Sequence, residues 1–284
     1  MSNAKKSFKL GRLVRSHDKR IPMLHTLMTG AGIAPQPVVP SVDYTHGMPA
    51  NLGMMLNDTL GDCTCAAYYH AIQVWTFNAL GAQQMATEPD TDVEELYEQA
   101  CGYKPAQGGE GPGGNEQHVL TFILKKGAPF GPTAQQRHQI NAFVEVDVTN
   151  TDNIKRTIND CGVAYIGFNV PQYIMPPNQN PLPVWDVDPA ADNTIVAGHA
   201  VVLAGYNASG ARVISWGGYY TMTWAFFAKF VDEAYAIADP DWISAKKTTP
   251  GGLSLQQLEQ AMQALKTGPA ESSDVRAPQL KRVG

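Results

Sequence analysis

Apolar residues recur at helical spacing in the first half of the chain and gather into strand-like runs in the second. Over residues 63–79, Ala66, Ala67, His70, Ala71, Val74 and Trp75 give a helix with a broadly apolar face. A second helix is expected over 92–101, N-capped by Thr91, with Glu94, Glu95 and Glu98 in its early turns. A third spans 116–126 and is stopped by Gly127. Residues 143–148 alternate like a half-buried strand, 151–159 form a helix, and 163–168 an apolar strand. Residues 199–206 and 212–216 read as a β-hairpin joined by Asn207-Ala208-Ser209-Gly210. A helix over 223–231 carries Trp224, Phe227 and Val231 on one face, and 233–238 supplies a strand that closes the sheet. Ser254 caps a last helix with Leu255, Leu258, Met262 and Leu265 on one side.

Helices first and strands second predict an α+β chain with two lobes, a helical one packed on an antiparallel β lobe. Two loops interrupt it. Residues 105–116 are too rich in glycine for regular structure and let backbone approach a neighbour closely. Residues 171–194, rich in Pro, Asn and Asp, are long enough to form a cleft wall or lid. The expected organisation is a basic, Pro-rich arm over 1–39, a body over 40–245, and an amphipathic helix with a polar tail over 246–284.

Composition adds limits. With 44% hydrophobic and 17% charged residues in 284, the chain can bury one sizeable core. No apolar run approaches the roughly 20 residues of a membrane span, and the N-terminus lacks the apolar stretch of a secretory signal. Four cysteines (Cys63, Cys65, Cys101, Cys161) make no disulfide framework, which favours a reducing, cytoplasmic setting, or a virion if a phage encodes the protein. The net charge of −5 conceals an asymmetry: residues 1–20 carry seven basic side chains against Asp18 alone. Such an arm can dock on its own acidic body, on an acidic partner or on nucleic acid, or remain a solvated tail. Nucleic acid is the less favoured partner.

The chemistry concentrates in Leu56-Asn57-Asp58-Thr59-Leu60-Gly61-Asp62-Cys63-Thr64-Cys65-Ala66-Ala67. A glycine-containing turn puts Cys63 in the first turn of a helix, where the dipole favours a thiolate. Far downstream, His199 opens an apolar strand and offers an imidazole base that only the fold can bring to Cys63. Cys65 reads as a packing residue, with a redox partner for Cys63 as the lesser alternative. The Cys63, Cys65, His70 set does not suit zinc, because its cysteines point to different helix faces. Gly108–Gly114 lacks the Gly-Lys-Ser/Thr ending of a phosphate loop. Neither a metal nor a cofactor is expected. Tyr219, Tyr220, Trp224, Phe226 and Phe227 read as core.

In these residues the chain resembles the papain-like cysteine peptidase superfamily over roughly 40–238. Pro40-Ser41-Val42-Asp43-Tyr44 resembles the start of the mature domain, Gly113-Gly114 the glycine pair lining the substrate cleft, and Ser215-Trp216-Gly217 the segment after the histidine strand. The motif Asn-Asp-x-x-Gly-Asp-Cys-Thr is similar to that of bacterial and phage-borne papain-like proteins. The resemblance implies Cys63 as nucleophile, His199 as base, and Asn57 in place of the glutamine that helps form the oxyanion hole. It also implies that Gly113, Gly114 and Trp216 line the substrate site.

There are departures. The position usually held by an asparagine that orients the imidazole is Ile214. Ser215 can accept weakly from the ring instead, and Asn207, Asp186, Asp188 and Asp192 are further candidates. The arm is shorter than the family's usual helical propeptide. Two functions follow as expectations. One is a thiol hydrolase cutting a peptide or isopeptide bond in a peptide or protein substrate, with amidase or transamidase chemistry using the same parts. The other is a catalytically weak or inactive scaffold acting as a structural or binding protein, for example in a phage particle, with the arm or the C-terminal helix docking on an assembly partner.

Overall fold

The computed structural model describes residues 7–16, 18, 20–24, 37–133, 135–176 and 180–241. The helix expected after Ser254 lies outside them, as does the tail. The helical lobe consists of α1 (Cys63–Leu80), α2 (Asp90–Cys101) and α3 (Glu116–Lys126), after a short β1 (Val42–Asp43). A small ribbon of β2 (Ala128–Pro129) and β3 (Arg137–His138) follows. The second lobe holds β4 (Ala142–Glu145), α4 (Thr151–Cys161), β5 (Ala164–Pro171), β6 (Val184–Trp185), β7 (Ile195–Tyr206), β8 (Gly210–Ser215), β9 (Gly218–Thr223), α5 (Trp224–Phe230) and β10 (Val231–Ala238). The architecture is the α+β, two-lobed arrangement that the patterning predicts.

Helix α1 is central rather than one-sided. Residues 63–76 are all buried, so polar side chains within the helix must find partners. Gln73 Nε2 donates to Leu52 O at 2.9 Å, and His70 Nδ1 pairs with Gln73 Oε1 at 2.9 Å. Trp75 Nε1 donates to Cys161 O across the lobes at 2.7 Å, and Tyr165 OH to Thr64 O at 2.7 Å. The last of these ties the start of α1 to β5 of the sheet.

The main sheet runs β4-β10-β5-β7-β8-β9-β6, with β1 on β7, and is antiparallel except where β6 lies along β9. The expected closing strand is interior: β10 lies between β4 and β5, where its nearly continuous buried run belongs. β4 is shorter than the expected 143–148 and buried throughout, because the arm covers it: Glu145 N donates to Pro22 O at 3.1 Å. Helix α2 begins at Asp90, which puts Thr91 inside the first turn rather than at the cap. The long 171–194 segment is partly ordered by a 3-10 turn (Gln172–Ile174) and by β6, whose Trp185 stacks on Tyr220 at 5.2 Å. Of the aromatic set, Phe226 and Phe227 are buried, while Tyr219, Tyr220 and Trp224 are only partly covered.

Candidate active site

Cys63 is the first residue of α1 and Asp62 holds the N-cap position. The turn before it is tight. Met55 and Leu56 have φ of 52° and 63°, and Asn57 Nδ2 donates to Leu60 O at 3.1 Å and Asp62 Oδ1 at 3.2 Å. Both amide hydrogens of Asn57 are thus engaged within the turn. In this arrangement its side chain fastens the loop that presents Cys63, a different task from the open oxyanion donor expected. The backbone N–H of Cys63 is among the helix's first four, which have no acceptor within the helix.

His199 lies on β7, with Ala200 following it. Its Nε2 is 2.7 Å from Ser215 Oγ, and the ring stacks on Trp216 at a centroid distance of 4.3 Å and 11° between planes. Its Nδ1 is buried with no hydrogen-bond partner among the described residues. Ser215 is thus the side chain that meets the ring at Nε2. The other candidates are committed locally: Asn207 Oδ1 accepts from Ser209 N, Asp186 Oδ1 from Val187 N, Asp188 Oδ1 from Ala190 N and Asp192 Oδ1 from Thr194 N. Ile214 is buried in β8 opposite Val202.

The N-terminal arm, rather than solvent, covers these groups. Residues 7–16 run extended along the junction of the lobes. Lys9 N donates to Asn57 O at 2.9 Å, and Trp216 Nε1 donates to Lys9 O at 3.0 Å. Gly114 N donates to Gly11 O and Leu13 N to Gly114 O, both at 2.8 Å, which is a parallel bridge. From the other lobe, Gly198 O accepts from Arg12 N at 3.2 Å. Gly114 and Gly198, the residue before His199, thus grip one strand of the chain's own arm, while Gly113 N donates to Tyr97 OH at 2.8 Å and packs against Gly11. Gly11 is needed there, since a Cβ on it would overlap the carbonyl of Gly61.

Arg12 carries the arm's electrostatics. Its side chain is buried against Glu116, Glu233 and Asp232, with Nε 2.8 Å from Glu116 Oε1 and 2.9 Å from Glu233 Oε1, and Nη2 paired with Glu233 and Asp232. Burial alone would lower its pKa, but the carboxylates outweigh that and raise it. For Glu116, burial and then the neighbouring Glu233 hold the carboxyl well above its usual range despite Arg12. Lys9 pairs with Glu110 and Arg15 with Glu145. The charge asymmetry of the sequence signals this docking, but it does not single out Arg12, Glu116, Asp232 or Glu233.

Burial also sets the charge state of Cys63 and His199. It pushes the Cys63 thiol up to about 12, against hydrogen bonds to its sulfur from the N–H groups of Ala200 and Gly11. Burial, then the charge of Arg12, brings His199 down to about 3. With the arm in place the two groups are therefore neutral.

Other titratable groups lie apart. Cys65 hydrogen-bonds to Cys101, so its thiol neighbour is not Cys63. His138, Asp239 and Asp241 converge with polar atoms within 4.8 Å of one another, a cluster the sequence reading missed. Tyr68 OH occupies His138 Nδ1 at 2.7 Å, and Nε2 is 3.0 Å from Asp239 and 3.4 Å from Asp241, so an imidazolium satisfies the carboxylates.

No protein-family model matches the chain, and no curated protein matches it. Solved structures do. Xylellain, a cysteine protease from Xylella fastidiosa, aligns with a TM-score of 0.61 and 17% identity, over 84% of this chain and 99% of that one. Digestive procathepsin L2 from Tenebrio molitor larval midgut gives 0.59 and 14%, over 84% and 81%. Procathepsin B from Trypanosoma congolense gives 0.52 and 13%, over 81% and 86%. At such identities the likeness shows the fold, which is papain-like.

Proposed function

We propose that this papain-like fold is a thiol hydrolase held latent by its own N-terminal arm, acting on a peptide or isopeptide bond. The observation that carries the reading is the state of His199: Nε2 is hydrogen-bonded to Ser215, and Nδ1 is left as an unpartnered base at the lobe junction. The neutral tautomer with hydrogen on Nε2 donates to Ser215 Oγ and leaves the Nδ1 lone pair open. Withdrawal of the arm removes the Arg12 charge, rehydrates the cleft and weakens both causes that keep the two groups neutral.

His199 Nδ1 then takes the Cys63 proton, and the sulfur attacks the carbonyl carbon. The first N–H groups of α1 stabilise the oxyanion. The imidazolium returns its proton to the leaving amine, and water hydrolyses the thioester. The description of xylellain as a cysteine protease supports the same reading.

A second reading, a cleft that only binds its arm, is favoured by the engaged amide of Asn57. An epoxysuccinyl probe on arm-released protein separates the two. The hydrolase labels at Cys63, and the label is lost in Cys63→Ser and His199→Ala. Labelling of Cys63 no faster than Cys101 leaves the binding scaffold.

A further inference from the structure

The pocket that holds Arg12 has a use beyond anchoring the arm. We infer that Glu116, Glu233 and Asp232 form the specificity pocket of the cleft, built for an arginine side chain of a peptide or protein substrate. This rests on the thiol-hydrolase reading, and it names the substrate class for that site.

Position supports it first. Gly11 N–H points at the Cys63 sulfur, and the adjacent Arg12 enters the pocket while its own N–H bonds Gly198, next to His199. Any extended chain that uses the same Gly114 and Gly198 edges delivers one side chain to these carboxylates, close to the nucleophile.

The pocket's chemistry supports it next. Glu116 and Glu233 have fully buried side chains, and Asp232 stands at the rim with its side chain 38% exposed. Two adjacent buried carboxyls raise one another's proton affinity, and a guanidinium between them relieves that repulsion. The arrangement fits a guanidinium better than an ammonium. Nε reaches both glutamates, and the two terminal nitrogens reach Asp232, which uses the planar fork of arginine. Gly167 makes the room, because a Cβ there would overlap both Glu116 and Arg12.

Positioning supports it third. Tyr235 OH donates to Glu233 Oε2 at 2.6 Å and Asn169 Nδ2 to Asp232 Oδ2 at 3.0 Å, so both carboxylates are held in place from behind. Glu116 in turn is hydrogen-bonded to Glu233 and to its own backbone N–H.

Two measurements on the full chain test the inference. In a Gly11→Val background, which displaces the arm, peptide amides are varied at each residue before the scissile bond. Arginine at one position should be preferred over leucine on the order of 100-fold in kcat/KM. Adding Glu233→Gln should collapse that preference while the leucine peptide is still cleaved. Turnover without an arginine preference, or a preference that survives both Glu233→Gln and Glu116→Gln, overturns the pocket and leaves the hydrolase standing.

The second measurement needs no turnover. In Arg12→Ala, refolded in the presence of each cation if it does not fold without one, N-ethylguanidinium should raise the melting temperature more than ethylammonium does. Glu233→Gln should abolish the difference. Rescue without cleavage of any peptide overturns the hydrolase but keeps an arginine-binding pocket; absence of guanidinium-specific rescue overturns the pocket itself.

Discussion

The imidazole of His199 is held by the hydroxyl of Ser215, Nε2 to Oγ at 2.7 Å, one residue beyond Ile214. Ile214 faces the opposite side of β8, as alternation along a strand requires, and Ser215 faces the ring. A hydroxyl can accept from an imidazolium, but it is a single neutral acceptor. It fixes the ring's orientation more firmly than it stabilises charge. Trp216 stacked on the ring adds to that orientation.

For the proposed hydrolase, Ser215→Ala removes a neutral hydrogen bond of about 0.5–1.5 kcal/mol, a loss of roughly 2–10-fold in kcat/KM in arm-released protein. The acid limb of the pH–rate profile should move as well, because the imidazolium loses its acceptor. A loss beyond about 1,000-fold would assign Ser215 to the chemistry itself, and no change would end its role as orienter.

Gly11→Val tests latency. A side chain at residue 11 overlaps the Gly61 carbonyl, so the bonds from Gly114 N to Gly11 O and from Leu13 N to Gly114 O are lost together. Cys63 is 1% exposed and its thiol stands at about 12, so iodoacetamide should label it very slowly at pH 7 in the parent chain. Displacement of the arm should raise the rate at least about 100-fold, read by mass spectrometry against Cys101. Were proteolysis to show the arm released and Cys63 still inert, the arm would not be what silences it.

Much of this was legible in the sequence, for identifiable reasons. The Asp62-Cys63 turn, α3 from Glu116 to its stop at Gly127, and the β7–β8 hairpin are written in local chemistry: a helix start, a glycine stop and two apolar runs around Asn207-Ala208-Ser209-Gly210. The order of lobes follows from the change of period. The place of β10 between β4 and β5 does not, because strand order is set by packing far along the chain. The arm's path was hidden for a similar reason. Arg12 is one of seven basic residues near the N-terminus, and only the buried carboxylates of Glu116 and Glu233, 104 and 221 residues away, distinguish it. Asn57 shows a third kind of limit. Its offset from Cys63 was readable, but the direction of its amide depends on Leu60 and Asp62 in a turn with positive φ.

The two adjacent glycines beside the arm should behave differently. A Cβ on Gly113, φ 81°, would have arm atoms of Gly11 and Leu13 as its nearest neighbours. A Cβ on Gly114 would overlap Thr64 Oγ1 and lie 3.0 Å from Cys101 Sγ, in the helical lobe's interior. Gly114→Ala is expected to cost about 1–3 kcal/mol of global stability as an overpacked site. Gly113→Ala should release the arm, with a smaller loss of about 1–2 kcal/mol from left-handed backbone. Urea unfolding and proteolysis at the arm, measured on both variants, distinguish them; equal global destabilisation would contradict the assignment.

His138 gives the fold a pH dependence of its own. Burial alone would lower its pKa, but hydrogen bonds to Asp239 and Asp241 prevail and raise it to about 9. Tyr68 OH at Nδ1 keeps the ring aligned for both carboxylates. A histidine whose folded pKa is raised stabilises fully below its unfolded value near 6.5, and that contribution is lost as the pH climbs through about 9. A rise of this size corresponds to about 3 kcal/mol between the two limits. The free energy of unfolding of the parent chain should therefore fall between roughly pH 6.5 and 9, relative to His138→Gln. Glutamine can still donate to Asp239 but carries no titrating charge, so its curve should lack that step. Parallel curves for the two proteins would mean that His138 is neutral in the fold and that its contacts with Asp239 and Asp241 are plain hydrogen bonds.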